Sequence, residues 1–280
     1  MFQTQTEALI QWIDDVPYKL KSPFDFFFLC RYGKVFKVFD DQDSGNICFG
    51  VAGDDGRRYF VKFAGAPTDR ACVSVEEAIL NLKRTVPVYK DLSHPTLITY
   101  FDSEEIGGGF AVIFDWIDAV CPHPMYPQSR EKFKQLPIAT TMKIFEDTVE
   151  FHIHVISKGY VAIDFYDGSI IYDIKNEKTA ICDIDLYATA PYVNQMGRLW
   201  GSSRFMSPEE FTLGAEIDEI TNVYTMGATA FALLSDSDRA FEKWPLSKQL
   251  YDVVKRAVSD DRGKRQQSIQ QFLGEWKAKK

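Results

Sequence analysis

Hydrophobic and polar residues follow two different periods along this chain, and the change falls near Asp118. Before that point, short runs rich in Val, Phe and Tyr are separated by glycine-containing turns such as Gly53-Asp-Asp-Gly56, a pattern typical of antiparallel strands. After it, apolar residues recur at helical spacing. The pattern therefore predicts an α+β protein, with a sheet-rich part first and a larger helical part second.

The individual elements follow from the same pattern. Residues 5–16 predict a short amphipathic helix, because their apolar side chains fall on one helical face. A further helix is expected at 75–84, with a separate turn or helix starting at Pro87. The predicted strands cover 25–38, 47–52, 58–64, 97–102 and 110–116, and the later helices cover 139–158, 218–234, 246–258 and 268–277.

Composition and charge narrow the classes of function. The chain has 280 residues, 45% of them hydrophobic, which is enough for a sizeable core. Its net charge of -8 disfavours a nucleic-acid partner, which usually requires a basic surface. We expect no membrane span and no signal peptide, since apolar runs are short and the first twenty residues are acidic. Five scattered cysteines without a Cys-x-x-Cys pair favour reduced thiols in a cytoplasmic protein.

Acidic residues and a glycine-containing turn occur in a fixed order between Val161 and Glu209. Asp164 follows Val-Ala-Ile, Asp183 follows the apolar strand Thr-Ala-Ile-Cys, and Gly-Ser-Ser-Arg-Phe-Met-Ser-Pro-Glu closes the segment. Either aspartate alone is more often a helix cap or a turn residue. The two together, separated by a strand, a turn and a strand, are more specific. Upstream, Lys62 lies in Tyr-Phe-Val-Lys-Phe-Ala, where an exposed strand lysine is the alternative interpretation.

These motifs resemble those of the eukaryotic-like (Hanks-type) serine/threonine protein kinases, over about residues 25–275. Lys62 resembles the lysine of Val-Ala-Ile-Lys, Asp164 the catalytic-loop Asp, and Asp183 the Asp of Asp-Phe-Gly. The closing segment resembles Gly-Thr-x-x-Tyr-Met-Ala-Pro-Glu. The resemblance implies a kinase-like two-lobed fold with the nucleotide in the cleft between lobes. Its parts would be an N-terminal helical extension (1–24), an antiparallel-sheet lobe (25–118) and a helical lobe (119–280).

The resemblance also implies an activity and a set of roles. The reaction would be transfer of the γ-phosphate of ATP to a Ser or Thr hydroxyl of a protein substrate, with Mg²⁺ as cofactor. Asp164 would orient and deprotonate the acceptor, while Asp183 would hold magnesium. Ser169 replaces the asparagine that is the family's second metal ligand, and its neutral hydroxyl could still hold magnesium directly or through water, but less firmly. Lys62 would bind the α- and β-phosphates. The other nucleotide contacts would come from the glycine-rich loop, the strand after it and the hinge: Gly45, Ile47, Phe114, Asp115, Trp116 and Ile117.

Two structural features belong to the same resemblance. Glu209 and Arg265 match residues that form a buried ion pair in the family, which would stabilise the helical lobe. Asn222 replaces the central-helix aspartate and is a near-isostere that can still accept a backbone hydrogen bond.

Several positions depart from the family pattern. Only Gly45 remains of the glycine-rich loop, and its acidic neighbours would repel phosphate. The helix glutamate that would pair with Lys62 falls near Thr85. Three further substitutions lie in the catalytic and metal-binding segments: Ala162-Ile163 for His-Arg, Tyr166 for a lysine, and Asp185 for a glycine.

Three functions stay open at this point. An active but atypical kinase is favoured because the lysine and both aspartates remain. A pseudokinase, acting as a nucleotide-sensing or protein-binding scaffold, is favoured by the acidic loop, by Thr85 and by Ser169. A small-molecule kinase is favoured by the short stretch between Leu234 and Leu246, but the intact segment that ends at Glu209 argues against it.

Overall fold

The computed structural model describes residues 9–280, and these form an α+β protein, as the sequence predicts. Its internal contacts divide the chain into two compact units. The first unit extends to Ser93 and includes Ile98–Ile117. The second unit consists of His94–Leu97 and Asp118–Lys280.

The first unit begins with a β-hairpin rather than a helix. Strand β1 (Leu9–Ile13) pairs antiparallel with β2 (Val16–Leu20). Asp14 and Asp15 both have positive φ, 47° and 71°, which is the backbone of a two-residue hairpin turn. The predicted helix over 5–16 and the helical extension over 1–24 are therefore wrong for the described residues, and positions 5–8 lie outside them. A short apolar run fits either period, and here the Asp-Asp turn decides for the strand.

A five-stranded antiparallel sheet forms the centre of the first unit. Its strands lie in the order β3-β4-β5-β7-β6. The predicted strand over 25–38 is wrong in its first half, because Phe27–Arg31 form a 3₁₀ turn. The Asp25 side chain starts that turn by accepting a hydrogen bond from the Phe27 amide at 2.8 Å. The five strands are β3 (Lys34–Phe39), β4 (Asn46–Ala52), β5 (Arg58–Ala64), β6 (Tyr100–Ile106) and β7 (Gly109–Asp115).

One long helix, α1 (Val75–Asp91), lies between β5 and β6 in the chain. It begins at Ser74, whose hydroxyl accepts a hydrogen bond from the Glu77 amide at 3.1 Å. The predicted break at Pro87 is wrong, because the helix continues through this residue. Val88 and Tyr89 are buried in its last turn, so packing there outweighs the hydrogen bond that proline cannot donate.

The second unit is mostly helical. Four of its helices fall within a few residues of the predicted ranges. The short α2 has only one buried residue, Phe133, and its polar sequence gave no periodic signal. The helices are α2 (Pro127–Lys134), α3 (Ile138–Ser157), α4 (Glu219–Ser235), α5 (Lys248–Ala257) and α6 (Ile269–Lys277).

Short antiparallel pairs connect these helices. The longest is the hairpin of β9 with β10, while β8 pairs with β11 and β12 pairs with β13. Their bounds are β8 (Tyr160–Val161), β9 (Ile170–Asp173), β10 (Lys178–Ile181), β11 (Ala188–Thr189), β12 (Tyr192–Val193) and β13 (Glu216–Ile217). All five cysteines are free thiols. Within residues 9–280, no helix combines the length and the apolar character that crossing a membrane requires.

We predict that Gly227→Ala destabilises the protein although alanine is the better helix former. A methyl group at Gly227 in α4 would lie 2.8 Å from the Ala257 Cβ and 2.9 Å from a Val258 methyl. Such overpacking costs about 1–3 kcal/mol and exceeds the propensity gain of about 1 kcal/mol. The matched control is Gly274→Ala in α6, where no atom lies within 4 Å of the added methyl. Urea unfolding should show a loss for the first variant and a small gain for the second; equal gains would contradict the packing.

Candidate functional site

The β9–β10 hairpin brings Ser169 close to Asp183. Ile170 and Ile181 are partners in this hairpin, and the pairing continues one step further. There the Cys182 amide donates a hydrogen bond to the Ser169 carbonyl oxygen at 2.9 Å. Ser169 thus precedes the first strand and Asp183 follows the second at the same end of the hairpin. The two residues predicted to hold magnesium are therefore neighbours.

Asp164 and Asp183 lie in one region of the second unit, although 18 residues of chain separate them. Both are half-buried, and both have positive φ, 60° and 56° respectively. Burial raises the pKa of the Tyr166 phenol and of the Tyr187 phenol. The negative charges of Asp164 and Asp183 raise both pKa values further, so each phenol lies within electrostatic range of both carboxylates. Left-handed backbone at a residue other than glycine is uncommon, and it is concentrated at functional sites.

The segment that ends at Glu209 packs directly on Asp164. Gly201 has a φ of 137°, which side chains rarely adopt, and a Cβ there would lie 3.4 Å from the Asp164 Oδ1. It would also lie 3.5 Å from the Asp164 Cα. The backbone conformation therefore accounts for the glycine of the sequence motif, and the segment lies in van der Waals contact with Asp164.

A partly buried ion pair that the sequence analysis missed joins the loop after Asp164 to the same segment. Asp167 is only 4% exposed, and Arg204 contacts both of its carboxylate oxygens. Arg204 Nη1 donates to Oδ2 at 3.0 Å and Nη2 donates to Oδ1 at 2.9 Å. The His123 Nε2 lies 3.8 Å from Oδ1. The partners are 37 residues apart in the chain, so no local pattern could have predicted the pair.

Helix α4 holds the backbone just before Asp164. Asn222 is 1% exposed and makes two hydrogen bonds to Ala162. The Ala162 amide donates to Asn222 Oδ1 at 2.7 Å, and Asn222 Nδ2 donates to the Ala162 carbonyl oxygen at 2.8 Å. The asparagine thus makes the backbone contact expected for it, and it satisfies both polar groups of the same residue.

The structure also brings Glu209 and Arg265 together. Arg265 is fully buried, and its Nη1 and Nη2 donate to Glu209 Oε1 at 2.6 Å and Oε2 at 3.0 Å. Burial raises the pKa of Glu209, but the hydrogen bonds from Arg265 and Thr221 outweigh it and the net shift is downward. Removing one partner of such a pair leaves a buried charge unpaired and costs about 3–5 kcal/mol.

Lys62, in the first unit, is a buried lysine. It is 8% exposed and lies on β5, paired with Cys48 of β4 and Val112 of β7. The interpretation as an exposed strand lysine is therefore wrong. A buried amine is uncommon in proteins, and it usually has a charged or polar partner.

The buried face of α1 has no carboxylate at the position predicted for one. Thr85 is 2% exposed, and its hydroxyl donates to the Leu82 carbonyl oxygen of the same helix at 2.8 Å. Glu76 and Glu77 lie exposed in the first turn. The position predicted for the glutamate of a kinase lysine–glutamate pair is therefore occupied by a buried hydroxyl.

Two aspartates of the acidic loop before Gly45 contact other residues of the first unit. The Asp40 side chain accepts a hydrogen bond from the Lys19 amide at 2.7 Å, and Asp41 forms an ion pair with Arg70 at 2.7 Å. Gly45 has a φ of 81°, and a Cβ there would lie 2.8 Å from the Ala78 Cβ of α1. Packing against α1 therefore accounts for this glycine without a phosphate.

The other residues predicted to contact a nucleotide lie on or beside the central strands. Ile47 and Phe114 are buried, Trp116 and Ile117 are half-buried, and Asp115 is exposed. The Asp115 amide donates to the Thr99 carbonyl oxygen, and the Trp116 amide donates to that of Arg58, both at 3.0 Å. The first two backbone amides of the predicted hinge thus already donate hydrogen bonds to residues of the first unit.

The residues around Asp183 fit a magnesium ion that is held largely by a nucleotide. Ser169 is fully buried, and its Oγ has no hydrogen-bond partner among residues 9–280. Within the same residues, no group of three or more His, Cys, Asp or Glu side chains could hold a metal ion. One carboxylate and one hydroxyl suit Mg²⁺, which commonly takes one or two protein carboxylates together with substrate phosphates and water.

No protein-family model matches this chain. The search of curated proteins found no match either. The arrangement of its own residues therefore carries the functional argument.

Glu210 is a second buried acid in the segment that follows Gly201. It is 3% exposed, and its Oε2 accepts hydrogen bonds from the Ser207 amide at 2.7 Å and the Ser207 hydroxyl at 3.0 Å. Burial raises the pKa of Glu210, and the negative charge of the adjacent Glu209 raises it further. The two hydrogen bonds from Ser207 lower the pKa, but by less. The pKa of Glu210 is raised to about 7.

We predict that this acid makes the protein less stable as pH rises from about 4.5 to about 7. Below about pH 4.5 the Glu210 carboxyl is protonated in both the folded and the unfolded protein. Between about 4.5 and 7 only the unfolded protein releases this proton, so rising pH favours unfolding. The loss is on the order of 3 kcal/mol. Glu210→Gln keeps an oxygen for Ser207 and should flatten the pH dependence of urea unfolding over this window. Glu242→Gln, at an exposed carboxylate, is the control; parallel curves for all three proteins would contradict the assignment.

Proposed function

We propose that this chain is an ATP-dependent phosphotransferase of the protein-kinase type, which transfers the γ-phosphate to a Ser or Thr hydroxyl. The observation that carries the proposal is the grouping of Asp164 and Asp183, both in left-handed backbone, with the unsatisfied hydroxyl of Ser169 beside Asp183. Phosphoryl transfer requires one carboxylate for the acceptor and another for the metal. Gly201, packed on Asp164, supports the same interpretation.

The order of the elements supports a kinase-like two-lobed fold as part of this proposal. The kinase architecture begins with a small sheet-rich lobe and continues with a larger helical lobe. Here α1 separates β5 from β6, and the second unit contains five of the six helices. This support is an analogy at the level of fold, so the functional argument depends on the site residues.

The chain's own residues would act mainly by positioning. Asp164 would accept a hydrogen bond from the acceptor hydroxyl and take its proton as that oxygen bonds to the γ-phosphorus. The bond from the γ-phosphorus to the β-phosphate oxygen would break at the same time and release ADP. Asp183 and Ser169 would hold Mg²⁺, which neutralises charge on the phosphates when it is bound with ATP. Lys62 would bind the α- and β-phosphates. Asn222 would keep the Asp164 loop in place through Ala162, so that little reorganisation accompanies the transfer.

A second candidate function is a pseudokinase that serves as a nucleotide-sensing or protein-binding scaffold. Two observations favour it. The buried face of α1 offers Thr85 where active kinases have a glutamate, and the loop before Gly45 binds Lys19 and Arg70 of its own unit. Each of these two features would weaken the binding of the nucleotide phosphates. Asp164 and Asp183 of the second unit are unaffected by either feature.

We predict that Asp183→Asn abolishes phosphate transfer and leaves the fold intact. The amide keeps the size of the side chain but removes the negative charge that holds magnesium, so turnover should fall by at least about 10²-fold. The measurement is transfer of labelled phosphate from ATP to the protein itself and to pooled Ser/Thr peptides. Thermal unfolding without nucleotide checks that the fold is unchanged.

Asp185→Asn is the matched control, because it makes the same change two residues away, where the family has a glycine. It should retain most of the turnover. Full turnover in Asp183→Asn, or loss only in Asp185→Asn, would show that the metal ligand is assigned wrongly. No transfer by the wild type, together with nucleotide binding, would favour the scaffold.

A further inference from the structure

A buried histidine on α3 makes hydrogen bonds through both of its ring nitrogens. His152 is fully buried, and its Nδ1 lies 2.8 Å from the Thr148 carbonyl oxygen. A carbonyl only accepts, so Nδ1 carries the hydrogen and Nε2 of the neutral ring is an acceptor. Tyr187 Oη, 2.7 Å from Nε2, must therefore donate to it. The two partners fix the tautomer of the ring and the direction of the hydrogen bond.

The same imidazole contacts the loop that follows Asp164. Its ring lies edge-on to the Phe165 ring, with the centroids 4.4 Å apart. Phe165 comes directly after Asp164 and is 3% exposed, so it is enclosed by protein on nearly all sides. The position of His152 therefore constrains the position of the Asp164 backbone.

Tyr187 connects the imidazole to the turn after Asp183. The Tyr187 amide donates to the Ile184 carbonyl oxygen at 3.1 Å and closes a turn that begins immediately after Asp183. Tyr187 is 4% exposed, so its hydroxyl needs a partner inside the protein. His152 supplies that partner and so joins α3 to this turn.

We propose that His152 and Tyr187 are a positioning pair, in which one buried hydrogen bond fixes the turn that carries Asp183 relative to the loop that carries Asp164. The consequence of this pair, a correct spacing between the acceptor site and the metal site, rests on the proposed function. The contacts of His152 and Tyr187 are independent of that function. Asp164 and Asp183 both have positive φ, so local backbone preference favours neither turn, and surrounding contacts must hold them.

A purely space-filling role explains the pair less well. An apolar side chain at residue 152 would fill the same volume without the cost of burying an imidazole and a hydroxyl. Burial lowers the pKa of His152 to about 4, so the ring stays neutral and Nε2 remains an acceptor at neutral pH. The pair thus gives one fixed geometry under the conditions in which phosphate transfer would occur.

Two substitutions of His152 separate its two hydrogen bonds. His152→Gln places an amide oxygen near the position of Nε2 and keeps an acceptor for Tyr187. His152→Asn places an amide nitrogen near Nδ1 and keeps only the bond to Thr148. Tyr187→Phe removes the hydroxyl with little change of shape and remains informative if the asparagine variant does not fold. The matched control is Tyr251→Phe, which removes the hydroxyl that donates to the Arg239 carbonyl oxygen at 2.8 Å.

The experiment combines hydrogen exchange of the full chain with titration of Mg²⁺–ATP. In Tyr187→Phe and His152→Asn, amides of residues 183–187 should exchange about tenfold faster, because the turn opens locally. The same variants should bind Mg²⁺–ATP about 10- to 100-fold more weakly, as is usual when the residues that orient a metal ligand are changed. His152→Gln should restore much of both properties. Tyr251→Phe should resemble the wild type in both.

The outcomes separate this inference from the proposed function. Unchanged exchange at residues 183–187 in Tyr187→Phe would overturn the positioning pair, whatever the protein binds. Faster exchange with unchanged Mg²⁺–ATP affinity would also overturn it, since Asp183 would then not depend on the turn. If the wild type binds no Mg²⁺–ATP, the proposed function fails, and the exchange comparison still decides whether the pair holds the turn.

Discussion

Buried polar side chains on α4 hold two loops of the second unit in place. Asn222 satisfies both backbone groups of Ala162, two residues before Asp164. The Thr221 hydroxyl donates to Glu209, which in turn receives two hydrogen bonds from Arg265. Groups of this kind are costly to bury and costlier to leave unpaired. The loop of Asp164 and the segment from Gly201 to Glu209 are thereby fixed to the same helix.

The candidate site is built on this support by a series of close contacts. Gly201 brings its segment onto Asp164, and Arg204 binds Asp167 in the loop that follows. The β9–β10 hairpin places Ser169 beside Asp183, while His152 joins the turn after Asp183 to Phe165. The hairpin is a local pairing, whereas Arg204–Asp167 and His152–Tyr187 link segments that are remote in sequence. Together they explain how two carboxylates are held in left-handed backbone that they would not adopt on their own.

Much of the fold could be predicted from the sequence where the hydrophobic period is long. The helices α3, α4 and α6 and the strand β5 fall close to their predicted bounds for this reason. The N-terminal hairpin could not be predicted, because its short apolar run fits the period of a helix as well as that of a strand. The predicted strand over 97–102 begins and ends too early compared with β6 (Tyr100–Ile106). Ser103-Glu-Glu105 makes this sheet-edge strand polar, and edge strands commonly carry charge.

The candidate site could be predicted only where residues form a local motif. Asp164, Asp183 and Gly201 belong to such motifs, and the structure brings them together. The pairs Asp167–Arg204 and His152–Tyr187 have partners 37 and 35 residues apart and depend on tertiary packing. Nothing in the sequence near His152 distinguishes it from any other core residue. Such contacts become visible only in the folded chain.

The most direct test of the phosphotransferase account is the thermal stability of the wild type with ATP, in the presence and absence of Mg²⁺. A ligand that binds only the folded state stabilises it by about 2.7 kcal/mol at one hundred times its Kd. The account predicts a Mg²⁺-dependent rise in Tm that is lost in Lys62→Ala and kept in Lys34→Ala, at an exposed lysine of β3. No rise in the wild type at millimolar ATP would contradict it.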